Sequence, residues 1–149
     1  MEFWEAIEQL GAVRAVKSSF FTYPIVNALH IMSIGALWTS VLLMDLRVLG
    51  AFSSVERAPF VRLLRRVALA AFCGALLTGP LMFAIRASEY AAMPVFLAKM
   101  GLIVLAGVNF ILFQRLAGGN EKEGLKLPAA ASIVLWTAVL FAGRFIGFM

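Results

Sequence analysis

The sequence predicts an all-α integral membrane protein, a four-helix bundle preceded by a short N-terminal amphipathic helix lying at the bilayer interface. Three observations carry this. Hydrophobic residues make up 62% of the 149 positions and charged residues only 14%, where a soluble domain has about a quarter of its residues charged. Four apolar stretches each approach the roughly 20 residues that cross a hydrocarbon core. Prolines stand near the start of each stretch, where a missing N–H costs no hydrogen bond. The length suits one domain, and four spans leave no room for a soluble catalytic domain. The mean hydropathy of +0.94 fits that assignment.

Residues 1–19 form the first element. Phe3, Trp4, Ile7 and Leu10 recur at helical spacing opposite Glu2, Glu5 and Glu8, with Arg14 and Lys17 at the far end. This pattern suits an interfacial helix and its dipole. The acidic start is unlike the positive start of a cleaved secretory signal. No formally charged residue occurs between Lys17 and Asp45, so the first span covers about residues 21–49. The second covers about 60–87, the third 94–117 and the fourth 128–148, with some tilt. Pro24, Pro59, Pro94 and Pro128 mark the starts, and Gly118-Gly119-Asn120 breaks the chain after the third span. Pro80, inside the second span, is expected to kink it and free a carbonyl.

Lysine and arginine in short loops favour the cytoplasm. Arg47, Arg57, Arg62, Arg65 and Arg66 lie at the facing ends of the first two spans and in the connection between them, and Arg115, Lys122 and Lys126 lie at the end of the third and in the connection after it. The other side holds Arg14, Lys17, Arg86, Lys99 and Arg144. The expected placement is a bacterial inner membrane, multi-pass, with both termini periplasmic. The net charge of +5 is thus a topology signal, with no basic domain to bind nucleic acid. The single cysteine, Cys73, excludes an intramolecular disulfide.

Ionisable groups at membrane depth usually face the bundle interior and mark a functional path. His30, the only histidine, lies roughly 12 Å below Thr22 at 1.5 Å rise per residue. Tyr23, Asn27, Ile34, Val41 and Asp45 share its helix face. With this topology Lys99, Arg144, Arg86 and Glu89 reach the outer half as well, so the candidate site comprises His30, Asn27, Tyr23, Lys99, Arg144 and the deeper Asn109. An alternative stands beside it: Lys99 and Arg144 have stems long enough to snorkel, and one histidine also serves to hydrogen-bond across helices. Asp45 and Arg47 are expected to pair locally with the Arg62, Arg65 and Arg66 face. Small residues at Gly35, Gly74, Thr78, Gly101, Ala106 and Gly107 are expected to allow close helix approach. Met32, Met82 and Met100 are soft enough for copper but form no cluster in the sequence.

One histidine excludes bis-histidine haem within one protomer. A haem shared across a two-fold axis, a His–Met haem and a quinone hydrogen-bonded to His30 all remain open. No Gly-x-Ser-x-Gly elbow or paired metal-ligand motif is present, so the chain reads as no enzyme on its own. Apolar Ile34, Leu37 and Val41 interrupt the polar stripe from His30 to Asp45, which argues against a complete channel in one protomer.

The segments Ala28-Leu29-His30-Ile31-Met32-Ser33-Ile34-Gly35, Met44 to Gly50, Leu77 to Phe83, Pro94 to Met100 with Asn109, and Ala142 to Gly147 resemble an uncharacterised family of bacterial four-helix membrane proteins. This likeness covers nearly the whole chain and brings no activity with it. More distantly, a histidine on the first helix with a glycine shortly after it, here His30 and Gly35, looks like the copper-resistance CopD and cytochrome b561-like membrane groups. Further histidines of the cytochrome pattern are absent.

The expected function is therefore a small subunit of a membrane redox or electron-transfer system, holding haem b, a quinone or a similar cofactor near His30, with bound lipid. Its expected partners are the bilayer and either further copies of itself or a larger membrane complex. Transport of a metal ion or small solute through an oligomer, and a purely structural accessory role, are the alternatives.

Overall fold

The computed structural model describes residues 2–117 and 123–148. Within them the chain forms seven α-helices and no strand: α1 (Glu2–Glu8), α2 (Gly11–Ser18), α3 (Thr22–Val48), α4 (Arg57–Ile85), α5 (Ala87–Ala92), α6 (Pro94–Ala117) and α7 (Lys126–Ile146), the last entered through a short 3₁₀ turn. The four long helices α3, α4, α6 and α7 are long and apolar enough to cross a membrane. The chain is a multi-pass membrane protein. The expected break at Gly118-Gly119-Asn120 and the basic residue Lys122 lie outside the described residues.

Proline position explains the helix starts. Pro24, Pro59 and Pro128 are each the third residue of α3, α4 and α7, and Pro94 is the first of α6. All fall in the first turn, whose N–H groups have no intrahelical partner. The second span therefore begins at Arg57, before the expected residue 60, because Pro59 sits inside its first turn. α4 continues through Pro80. The end of α3 is set by Gly50, whose φ of 108° suits a residue without Cβ. Ala51 N–H then donates to the Leu46 carbonyl at 2.9 Å, closing the helix as a Schellman turn does.

Side by side, the spans run in the order α4, α3, α7, α6, with α3 against α4, α3 against α7, and α6 against α7. Leu37 of α3 meets Ala68 and Ala71 of α4 in a buried cluster, with Ala36, Val41, Met44 and Trp136 packed around it. Most other large apolar side chains face outward, as lipid-facing residues do. Leu77, for example, is 72% exposed and Val104 65%. Lipid tails are as apolar as leucine, so association relies on close packing and interhelical hydrogen bonds. Each contacting pair carries such a bond. His30 and Thr78 link α3 to α4, Trp38 Nε1 donates to Thr137 Oγ1 at 3.2 Å between α3 and α7, and Asn109 Nδ2 donates to the Pro128 carbonyl at 2.9 Å between α6 and α7.

The glycines divide into two groups. A Cβ on Gly74 would lie 2.5 Å from Ser33 Oγ, so α3 and α4 touch there, whereas Gly35, Gly101 and Gly107 would meet nothing within 4 Å. The latter three do not serve the close approach expected of them. Gly74→Leu is expected to lower stability in detergent by roughly 1–3 kcal/mol, the usual cost of overpacking. Gly107→Leu is expected to stay within about 0.5 kcal/mol of wild type. Thermal unfolding of both variants checks this, and equal losses would remove the assigned role of Gly74.

The N-terminal segment differs from the single helix expected over residues 1–19. Leu10 is extended, at φ −57° and ψ 134°, and splits it into α1 and α2. α1 docks onto the bundle end at α4 and α5. Trp4 sets its edge against Phe83 at 5.5 Å, and Glu8 Oε1 accepts from Ser88 N–H at 2.9 Å and from Ser88 Oγ at 2.6 Å. Ser88 is the second residue of α5, so Glu8 caps that helix from another segment, where its free N–H groups favour an anion. Beyond it, Phe83, Tyr90 and Phe96 stack with centroids 5.2 to 6.3 Å apart, joining α4, α5 and α6.

The two hydrogen bonds from Ser88 hold the Glu8 carboxyl below its ordinary value of 4.5. A depressed carboxylate stabilises the docked state above its unfolded value and loses that contribution as pH falls through its folded value. The α1–α5 clasp is thus intact at neutral pH and loosens below about pH 4.5. Amide exchange at Ser88 and Trp4 emission report this, and in Glu8→Ala the exchange is already fast at neutral pH. A clasp equally protected at neutral pH in that variant would show that Glu8 does not hold it.

Candidate functional site

Two turns into the bundle from the end that carries both termini, α3 presents His30 to α4. His30 Nδ1 lies 2.8 Å from Thr78 Oγ1. Thr78 in turn donates its hydroxyl to the Gly74 carbonyl at 2.7 Å, with a longer 3.5 Å arm to Ala75, the usual bond of a threonine inside a helix. A hydroxyl has one proton. With that proton committed to α4, Thr78 accepts from His30, so Nδ1 carries the imidazole hydrogen and Nε2 keeps its lone pair. Gly79 makes room for the ring: a Cβ there would stand 3.4 Å from His30 Cε1.

Lys99 approaches from the other side of the bundle. The far end of its side chain rests against Gly143 of α7, 3.5 Å from where a Cβ would be. Among the described residues Lys99 makes no hydrogen bond or ion pair. An imidazole whose Nε2 has no hydrogen-bond partner among the described residues, and a lysine at similar depth on α6, are the chemical content of this level of the bundle.

The other expected site residues are dispersed. Tyr23 lies about 10 Å above His30 by helical rise, in a groove at the bundle end with Lys17 and Arg86. Asn27, half-buried, lies between the two and forms no hydrogen bond among the described residues. Arg86 pairs with Glu89 at 3.4 Å in an exposed ion pair. Arg144 is exposed and stacks over Phe148 at 4.6 Å. Asn109 sits toward the opposite end, its amide occupied by the Pro128 carbonyl. Met32 and Met100 are exposed, at 69% and 37%, while Met82 lines the groove. Among the described residues no group of three His, Cys, Asp or Glu side chains gathers to hold a metal.

Asp45 corrects a further expectation. Its side chain is turned to α7, where Ser132 is the polar group that reaches it, and it makes no ion pair with the arginines of α4. It is 7% exposed, and its Oδ2 has no partner among the described residues. Arg47 instead donates through Nη2 to the Val55 carbonyl at 3.1 Å. By helical rise Asp45 lies roughly 22 Å from His30 along α3. The Leu37, Ala68 and Ala71 cluster fills the level between them.

Thr78, Gly79 and Gly143 complete the site, although sequence reasoning does not mark them as parts of it. The available signal is local: a threonine next to Gly79-Pro80, in the middle of an otherwise apolar span, needs a reason to be there.

The geometry defines a class, a multi-pass four-helix membrane protein with one interior histidine hydrogen-bonded to a threonine of the neighbouring span. The chain belongs to the family of unknown function DUF6644, which matches residues 3–149. No curated protein and no solved structure matches it, so the distant likeness to the CopD and cytochrome b561-like groups receives no support.

Because His30 is the only histidine, ¹⁵N-histidine labelling yields one imidazole. It is expected to show a protonated Nδ1 and a bare Nε2, and Thr78→Val to shift it toward the other tautomer. Loss of the bond is expected to destabilise by about 0.6 kcal/mol, and at most about 1.7. A bare Nδ1 in the wild type would overturn the assignment.

Proposed function

We propose that this protein is a small subunit of a bacterial inner-membrane redox system and binds the headgroup of a quinone-type cofactor at His30. The observation that carries the reading is the His30–Thr78 hydrogen bond through Nδ1, which leaves Nε2 without a partner among the described residues, with the Lys99 side chain lodged against Gly143 of α7 in the same outer part of the bundle. A hydroquinone hydroxyl donates to such a nitrogen, and the ammonium favours the electron-rich oxygen on the same ring. One acceptor and one cation are enough for this ligand. Haem b asks more, since His30 supplies one axial position and the second must come from a methionine or from His30 of another copy. Histidines that bind metals or cofactors are typically fixed through the other ring nitrogen in this way.

The packed apolar layer at Leu37 favours cofactor binding over a transport path through one protomer, since it parts His30 from Asp45. The arginine-rich end formed by Arg57, Arg62, Arg65 and Arg66 supports a cytoplasmic placement for that end and a periplasmic one for the termini. With a single site residue of each kind, the chain works with a second copy or with partner subunits that supply and accept electrons.

Organic extraction and a pyridine-haemochrome spectrum of the complex isolated from native membranes in mild detergent test this. Quinone is expected to copurify, and His30→Ala to lower its retention about tenfold, the worth of one hydrogen bond. A Soret band lost in His30→Ala would make the cofactor a haem. Neither cofactor in the native complex, or unchanged retention in His30→Ala, would end the redox reading.

A further inference from the structure

We infer that the groove at the bundle end carrying the termini binds the phosphodiester headgroup of an anionic phospholipid. This groove of about 370 Å³ runs between the end of α2, the start of α3 and the end of α4, and includes Lys17, Tyr23, Met82, Arg86 and Tyr90. Its size is at the small end of ligand sites, which run from about 300 to 1,000 Å³, and so suits a headgroup better than a whole lipid.

Charge selects the ligand. Lys17 and Arg86 are the charged residues lining the groove, and among the described residues no carboxylate lines it. The carboxylate of Glu8, on the neighbouring α1, has its Oε1 committed to Ser88. Arg86 does meet Glu89, but through one nitrogen at 3.4 Å with both side chains more than half exposed. Such a pair is weak and leaves guanidinium donors that match phosphate geometry. Tyr23 and Tyr90 add phenolic hydroxyls at the rim.

Depth selects the source. The lining residues sit where α3 begins and α4 ends, at the level where tyrosine, lysine and arginine meet lipid headgroups. Met82 and Ile85 give the groove an apolar floor, and Phe20 beside it is 85% exposed. A free phosphate has no use for that apolar surface, whereas a lipid continues along it with its acyl chains. The site is distinct from His30, which lies two turns deeper.

Native mass spectrometry of the detergent-solubilised protein with dioleoylphosphatidylglycerol, dioleoylphosphatidylcholine or inorganic phosphate tests the assignment. Each basic residue near a charged membrane surface is worth roughly fivefold in affinity. Lys17→Ala with Arg86→Ala is therefore expected to weaken phosphatidylglycerol binding roughly 30-fold. The swap Lys17→Arg with Arg86→Lys is expected to retain it, and Arg115→Ala, exposed at the far end of α6, to leave it unchanged. Equal binding of phosphatidylcholine, displacement by inorganic phosphate, no loss in the first double variant or an equal loss in the last would overturn it. His30→Ala leaves phosphatidylglycerol bound, so failure of the quinone site and failure of this one are separately visible.

Discussion

The arrangement depends on how closely α4 approaches α3. Gly74 admits Ser33, Gly79 admits the His30 ring, and between them Thr78 supplies the acceptor for that ring. These three positions, spaced four and one apart, form one strip of α4 over which α3 lies without intervening side chains. A larger residue at Gly74 would have to displace Ser33, on the stretch of α3 that also carries His30. Close packing and the chemistry of the histidine are therefore one feature. α3 then becomes the central element, since its opposite side must still satisfy Trp38 against α7.

A bilayer penalises any polar group that finds no partner inside the protein. The side chains of the spans answer with an interhelical bond at each contacting pair, and those bonds fall at different depths. His30–Thr78 lies toward the termini, Asn109–Pro128 toward the opposite end, and Trp38–Thr137 between. Each fixes the register of one pair. Asp45 departs from this, with Oδ2 unpartnered and the side chain almost fully buried. Being close to the end of α3, it lies nearer to water than His30 does, which makes a carboxyl tolerable at that depth.

Much of the fold was legible because the membrane imposes long, uninterrupted signals. Runs free of charge and a proline in each first turn located α3, α4, α6 and α7 without any knowledge of packing. Residues 1–19 were harder. Their amphipathic period reads as one helix, and only the extended backbone at Leu10 and the docking of Glu8 on Ser88 separate α1 from α2. No local pattern encodes a cap delivered across 80 residues. The same reason limits the site. His30 and Lys99 stand out as ionisable groups in apolar runs, but Thr78 is an ordinary polar residue until His30 is placed beside it. Asp45 shows the converse error, since proximity in sequence to many arginines suggested a pairing that the rotation of α3 toward α7 does not allow.

The tautomer of His30 ties these observations to the proposed function. In water the two neutral forms of imidazole interchange freely, and either nitrogen can accept. Inside this bundle the backbone carbonyl of Gly74 takes the Thr78 proton, Thr78 thereby becomes an acceptor, and the imidazole proton is drawn to Nδ1. A carbonyl of α4 thus decides the chemistry of a side chain on α3. Had Thr78 been a valine, the ring would pack as well but present no defined nitrogen. A lysine in its place would donate to Nδ1 and leave Nε2 as the protonated nitrogen. The bond joins the two helices, as the contact of Gly74 with Ser33 also does, and in addition sets which nitrogen of the ring is engaged. Its consequence is an Nε2 left without a hydrogen-bond partner among the described residues, and the proposed ligand role builds on that nitrogen.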